Sequence, residues 1–263
     1  MVKKKQAVTE RDMEFFRGIY QIEADFKGEP ARLPLFYYDS TAITAIYPAP
    51  LGKLRKILPK KDYHPVPVLP GVGAVAVTCF EYRDTDIRPY NEISISILMS
   101  YKKSPGLPAA GVVKSLMRNE FHTYIHHLPV TTQVALDGGV DVYNYPKFMS
   151  EINFEYTDDA VRVELLEKGE HILTLTGKKL KTGRGKTLHF CTYPVKEDRA
   201  QMADVLLRAK EMAMTFNPNA ADLELGDHPI GKELKDLLLM KKPITYMYMP
   251  DFQAILYGPS VLE

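Results

Sequence analysis

Two-residue alternation of apolar and polar side chains is the dominant pattern along the chain. Between positions 92 and 100, Glu92, Ser94, Ser96 and Ser100 fall on one side and Ile93, Ile95, Ile97 and Met99 on the other, which is the period of a strand. The same alternation predicts strands over 74–82, 152–156, 161–165 and 171–176, the last three joined by turns at Thr157-Asp158-Asp159 and Lys168-Gly169. Residues 33–47 are aromatic, β-branched or alanine and are interrupted by Pro34 and Asp39-Ser40, so they predict two extended pieces with a turn between them. Residues 188–195 predict a further strand, and 131–136 a short one running into a turn at Gly138-Gly139.

Helical spacing is confined to a few stretches. Thr9-Glu10-Arg11-Asp12 followed by Met13, Phe16, Ile19 and Tyr20 predicts an amphipathic helix, making 1–32 an N-terminal helical extension. Residues 51–58 give one or two turns that Pro59 ends. Helices are also predicted over 109–125, with Val112, Val113, Leu116 and Phe121 on one side, and over 197–212, with Met202, Val205, Leu206 and Ala209 inward. The Pro- and Gly-rich segment 63–73 is an irregular connection, and the Tyr- and Met-rich end, 244–257, is suited to lining a pocket or to filling a core, the commoner role. Together these elements define an α+β fold with a dominant antiparallel sheet. Periodicity leaves closure of that sheet open, and in a barrel the polar face carrying Glu92 could be the inside.

Composition narrows the class. The 263 residues, 45% hydrophobic and 25% charged, suffice for a large core, and no linker or charge block divides them, so 1–263 is expected to be a single domain. The 34 basic and 33 acidic residues give a net charge of +1, so no nucleic acid partner is expected. Cys79 and Cys191 lack metal-type spacing and fall in predicted strands, as buried free thiols do. Apolar runs fall well short of the roughly 20 residues that cross a bilayer, and residues 1–8 lack the apolar core of a signal peptide. A cytoplasmic protein without a membrane partner is expected. The basic run 178–186 lacks the spacing of a phosphate-binding loop and is taken as a solvated hairpin tip. His122, His126 and His127 lie in a predicted helix, where 122 and 126 share a face, but two histidines without a third ligand do not make a metal site. No metal or cofactor is expected.

Candidate chemistry concentrates in residues 138–149, Gly-Gly-Val-Asp-Val-Tyr-Asn-Tyr-Pro-Lys-Phe-Met. Pro146 fixes the backbone directly ahead of Lys147 and limits where the lysine points. A lysine deprived of water loses part of its reason to be protonated, and the neutral amine is a nucleophile. The bland alternative is a strand-end lysine that snorkels to solvent.

The order Gly139, Asp141, Tyr145-Pro146-Lys147 resembles the active-site segment of the acetoacetate decarboxylase superfamily, with Lys147 in the place of the Schiff-base lysine. Ile46-Tyr47-Pro48 with Leu54-Arg55-Lys56-Ile57-Leu58-Pro59, then Pro89-Tyr90-Asn91-Glu92, and finally Leu223-Glu224-Leu225 with His228 and Leu234-Lys235-Asp236-Leu237 resemble further family segments in the same order. The likeness spans roughly residues 35 to 260. It implies a strongly curved antiparallel sheet closing into a barrel-like cone around an internal cavity, with peripheral helices, in a homo-oligomer.

It also implies a lyase that decarboxylates a small β-keto acid through a lysine iminium and enamine. Lys147 would be the nucleophile and Glu92 the proton handler, with Arg88, Tyr90, Tyr145 and Phe148 as substrate contacts. Aldol or dehydration chemistry on an oxo acid, and non-catalytic binding of a small molecule, are the alternatives. The sequence departs from the family at three places. Phe148 replaces a second lysine, Ser40 or Thr41 replaces an arginine, and Val77 or Thr78 replaces the first of two cavity glutamates, with Glu81 nearby. Arg88 is the candidate substitute cation.

Overall fold

The computed structural model describes residues 11–103 and 106–262. Seven long strands carry the architecture: β1 (Leu35–Pro50), β2 (Val72–Thr85), β3 (Tyr90–Tyr101), β4 (Glu120–Val130), β5 (Thr187–Thr192), β6 (Arg199–Thr215) and β7 (Thr245–Leu256). Each pairs with its neighbour in sequence, and β7 returns to pair with β1, so the sheet closes into a barrel without a free edge. Strands of alternating direction cannot close a ring of odd number. One junction must be parallel, and it is β4 with β5, in the register Glu120 opposite His189 to Thr123 opposite Thr192. The chain between those two strands makes an excursion that carries the lysine segment and most of a second sheet.

That second sheet is antiparallel and consists of Glu151–Tyr156, Ala160–Glu167, Glu170–Lys178 and Ala221–Leu225. Its apolar face, with Val161, Val163, Leu173 and Leu175, packs on the outside of β1 to β3 through Ile43, Val77, Ile93 and Ile95. The apolar side of the 92–100 alternation therefore faces away from the barrel axis, and the polar side carrying Glu92, Ser94 and Ser96 faces the cavity. Among the described residues, four helices surround the sheets: α1 (Leu51–Ile57), α2 (Ala110–Arg118), α3 (Gln133–Asp141) and α4 (Pro229–Leu237). None of the described helices is long and apolar enough to cross a membrane.

The predicted closed, mostly antiparallel sheet with peripheral helices is what the chain forms, but several local expectations fail. Residues 33–47, expected as two pieces with a turn at Asp39-Ser40, run into the single strand β1 with only a register shift there. The helix expected over 109–125 ends at Arg118, where Asn119 adopts a left-handed φ of 51°, and the following Phe121, Thr123 and Ile125 continue as β4 with their side chains in the barrel. Aromatic and β-branched residues favour that pleated surface.

The stretch 197–212 is the long strand β6. Its Ala, Met, Leu and Lys residues are good helix formers, but β5 and β7 on either side supply two ladders of hydrogen bonds, and tertiary pairing outweighs propensity. Gln201, Ala203, Leu207 and Ala209 are buried on one face of the strand, with Val205 between them half-buried.

Residues 131–139, expected to be a strand and turn, instead lead through Thr132 into α3, Gln133–Asp141. Finally, the described part of the N-terminal extension is a single 3-10 turn, Glu14–Phe16, followed by a hairpin of Ile22–Phe26 with Glu29–Leu33. Phe16 seats that turn against Phe36 and Tyr38, with ring centroids 4.6 and 5.1 Å away. The expected helix start at Thr9-Glu10 lies outside the described residues.

Candidate active site

Lys147 opens a three-residue strand, Lys147–Met149, that runs parallel to β4 with Lys147 opposite Leu128. β5 pairs with β4 over residues 120–123, so the lysine strand takes up the edge of β4 beyond that pairing. Helix α3 delivers it there. Asn144 turns the chain at a φ of 51°, the Tyr145 N–H donates to the Gly139 carbonyl at 3.0 Å, and the Lys147 N–H donates to Tyr145 at 2.8 Å. Gly139 is required by a close approach: a Cβ built on it would lie 2.3 Å from both Cδ and Cε of Lys147. The lysine stem thus lies directly on bare helix backbone. On Gly138 a Cβ would meet the Phe26 ring at 2.4 Å, so that glycine admits the N-terminal hairpin.

The Lys147 Nζ donates to Glu92 Oε2 at 2.7 Å, with side chains only 7% and 10% exposed. Tyr82 donates to the other carboxylate oxygen at 3.4 Å, and the Tyr90 ring centre lies 5.7 Å from Nζ. The Tyr37 and Tyr90 hydroxyls are 3.1 Å apart, and Tyr145 and Thr192 share a bond of 2.6 Å. Burial, reinforced by the charge of Glu92, pushes the phenols of Tyr37, Tyr82, Tyr90 and Tyr145 well above their ordinary range. They therefore stay protonated at all physiological pH values and act as fixed dipoles around the pair.

This constellation closes one end of a cavity of about 470 Å³ that runs along the barrel interior. The other end is bordered by Val112 and Leu116 of α2, by Met214 and Phe216, and by Arg184 and Lys186. From Leu128, level with the lysine, to Phe121 near that opening, β4 spans roughly 20 Å at ~3.3 Å per residue.

The expected site residues are only partly brought together. Lys147 and Glu92 meet, Tyr145 lines the cavity, and Tyr90 packs behind the amine. Arg88 does not join them: its side chain is 72% exposed and pairs with Glu29 at 2.6 Å. Nor does Phe148, which alternation turns to the far side of its strand, against the core between barrel and outer sheet. Glu81 also faces outward, bound to Arg83 and Tyr156, while Thr78 faces inward and bonds Thr44 at 3.1 Å.

Sequence reasoning missed Tyr37, Tyr82 and Thr192. Tyr82 had a readable signal, because it alternates with Phe80 on a strand whose inner face was open to assignment. Tyr37 and Thr192 reach the site only through barrel closure. The basic run is solvated, with Lys181, Arg184 and Lys186 exposed, but sequence reasoning did not foresee that Arg184 and Lys186 border the cavity mouth.

The histidines belong elsewhere. His122, His126 and His127 lie on β4 rather than on a helix. An irregularity in the β3–β4 register lets the adjacent His126 and His127 both face Glu233 of α4, at 2.5 and 2.9 Å. A second group, His189, Cys191 and Asp204, sits on the outside of β5 and β6, with the thiol 3.7 Å from both neighbours. Burial and Asp204 push the Cys191 thiol up to about 12, so it is protonated and unreactive there. Both cysteines are free and buried, as expected.

The chain is thus a closed mixed barrel enclosing a buried lysine–carboxylate pair, and its likeness to known proteins places it in a family. The sequence model of the acetoacetate decarboxylase (ADC) family matches residues 25–258; the chain belongs to that family. No curated protein matches its sequence. Among solved structures, acetoacetate decarboxylase from Legionella pneumophila superimposes with a TM-score of 0.62 at 15% identity, covering 88% of this chain and 87% of that one. The enduracididine biosynthesis enzyme MppR, complexed with pyruvate, gives 0.60 at 12% identity over 87% and 90%. An acetoacetate decarboxylase-like enzyme from Sphingomonas wittichii RW1 gives 0.52 at 13% over 87% and 93%. At these identities the likeness is one of fold.

Proposed function

We propose that this protein is a Schiff-base-forming lyase in which Lys147 attacks the carbonyl of a β-keto acid. The observation that carries the reading is the 2.7 Å contact between the Lys147 amine and Glu92, both almost fully buried at the inner end of the cavity. Transfer of a proton from Nζ to Oε2 frees the nitrogen lone pair. The amine adds to the ketone, the protonated Glu92 gives its proton to the departing hydroxyl, and water leaves as the iminium forms. The electrons of the bond to the carboxylate carbon then move into the iminium, releasing carbon dioxide and leaving a neutral enamine. Its carbon takes up a proton, and a water molecule hydrolyses the imine to free the product ketone and Lys147. Tyr82 packs against Glu92 with a long hydrogen bond of 3.4 Å, and the aromatic wall keeps bulk water from the amine.

A second reading keeps the imine and uses the enamine for aldol or dehydration chemistry. It is favoured by the absence of any arginine at the inner end among the described residues lining the cavity, because a guanidinium is the natural partner of a substrate carboxylate. Borohydride reduction in the presence of acetoacetate, followed by intact mass and peptide mapping, tests the shared step. An adduct on Lys147 supports it. An adduct elsewhere, or none with any oxo acid, leaves a binding protein. Release of carbon dioxide then separates the two chemistries. The proposal carries with it a cytoplasmic, homo-oligomeric protein, checked by fractionation and by mass in solution.

A further inference from the structure

We infer that the carbonyl compound taken by this barrel carries an extended apolar chain, lying along the barrel with its reacting end at Lys147 and its tail toward α2. The reacting end rests on the imine reading above; the chain-binding channel does not. At ~30 Å³ per water, the 470 Å³ interior equals on the order of fifteen waters, and a small keto acid at Lys147 leaves most of it unfilled. The wall beyond the catalytic pair is built from Phe80, Leu128, Phe190, Leu207, Met249 and Phe252, contributed by five different strands. The inward hydroxyls are uncharged and come from β1 to β3 and from Ser115, Thr123, Thr192 and Thr245, with Thr44 and Thr78 already bonded to each other, and the lining His122 is engaged by Glu120 and Tyr193. Among the described lining residues, no Asp, Glu, Lys or Arg stands between Glu92 and the mouth.

Such a channel discriminates by chain length. It offers nothing to hold a second charged group halfway and a continuous apolar contact for methylenes. The mouth fits the same ligand. Phe216 and Met214 are left 67% and 43% exposed there, an apolar lip for an entering tail, and Arg184 and Lys186 border it, raising the local concentration of an anionic head group on its way in. The roughly 20 Å between lysine and mouth accommodates a chain of about ten carbons or more, at ~1.5 Å per bond shortened by the zigzag. Transfer of each methylene from water into this wall tightens binding by about fourfold.

The test is a homologous series of straight-chain 2-ketones, from acetone upward, read in two ways. Displacement of 1-anilinonaphthalene-8-sulfonate from wild type and from Lys147→Ala reports occupancy of the channel without chemistry, and borohydride trapping reports imine formation. The expected result is a midpoint that falls by about fourfold per methylene in both proteins until the channel is full. The variant Ser96→Phe, which puts a ring across the channel, should move that plateau to shorter chains. Long ketones that displace the dye but are never trapped would sink the imine reading and leave the channel assignment standing. Trapping at Lys147 with the same midpoint for every chain length would overturn the channel assignment and leave the imine reading intact.

Discussion

Gly139→Ala separates catalysis from stability at this site more cleanly than any change to the lysine itself. The added Cβ would sit 2.3 Å from Cδ and Cε of Lys147 and 3.0 Å from Nζ, so the stem must retreat by about 1 Å or more to reach ordinary contact distance. The obstacle is a flexible side chain rather than backbone, and Gly139 lies inside α3, where alanine gains roughly 0.8–1 kcal/mol over glycine in helix propensity. The two effects oppose each other, and net stability should change by less than about 1 kcal/mol. The amine cannot stay where it is, however. A misplacement of ~1 Å costs about a hundredfold in a reaction that depends on near-attack geometry, while the contact with Glu92, 2.7 Å in the wild type, lengthens without being broken as the flexible stem pivots.

The assay pairs urea unfolding with the rate of borohydride trapping. Gly138→Ala is the internal control, since its Cβ would meet the buried Phe26 ring and should cost about 1–3 kcal/mol through overpacking without touching the lysine. Gly139→Ala that traps a ketone as fast as wild type would show that the glycine does not position the amine. Loss of trapping in Gly138→Ala while it remains folded would show that trapping is not reporting the lysine contact.

Further expectations follow from the same geometry. Lys147→Ala leaves Glu92 buried without its partner and should destabilise the fold by about 3–5 kcal/mol, while the double change Lys147→Met with Glu92→Leu should recover most of that loss in urea melts. Tyr82→Phe removes a long, 3.4 Å hydrogen bond to Glu92 and should cost no more than about 1 kcal/mol, with trapping at Lys147 preserved. The pH profile of stability should show an acid limb from the Glu233 cluster. Burial and the neighbouring His126 hold His127 below its ordinary 6.5, so the unfolded chain binds the proton first and stability falls as the pH drops below that value. Burial works against the ionised Glu233, but hydrogen bonds from both histidines hold its carboxyl below 4.5. Its contribution is therefore complete above 4.5 and lost as pH falls through the lower folded value, and Glu233→Gln should flatten that second part of the limb in thermal melts across pH.

The strand framework was legible where alternation was strict, as in β3, whose Ile93, Ile95 and Ile97 face was clear while its direction relative to the axis was not. Barrel closure inverts the usual rule there, because the outer face is buried under a second sheet and the inner one lines a cavity. Propensity misled where pairing decided the outcome: β6 is composed of helix formers held between two strands. The site was half legible. Gly139 and Tyr145-Pro146-Lys147 announced a constrained lysine, and Glu92 stood out on a polar strand face. Arg88 was judged by its distance along the chain from Glu92, but a left-handed turn at a φ of 72° carries it away to Glu29. Arg184 and Lys186 reach the mouth only through the pairing of Arg184 with Glu211 across to β6, a long-range contact with no local signature.

The central claim is that Lys147 forms an imine, and exchange of carbonyl oxygen with water tests it without any trapping reagent. Each cycle of imine formation and hydrolysis replaces the ketone oxygen by one from solvent, so a ketone labelled with oxygen-18 should lose its label far faster with wild-type protein than in buffer, and at the buffer rate with Lys147→Arg. Label lost no faster than in buffer, or lost equally fast with the arginine variant, would contradict the account.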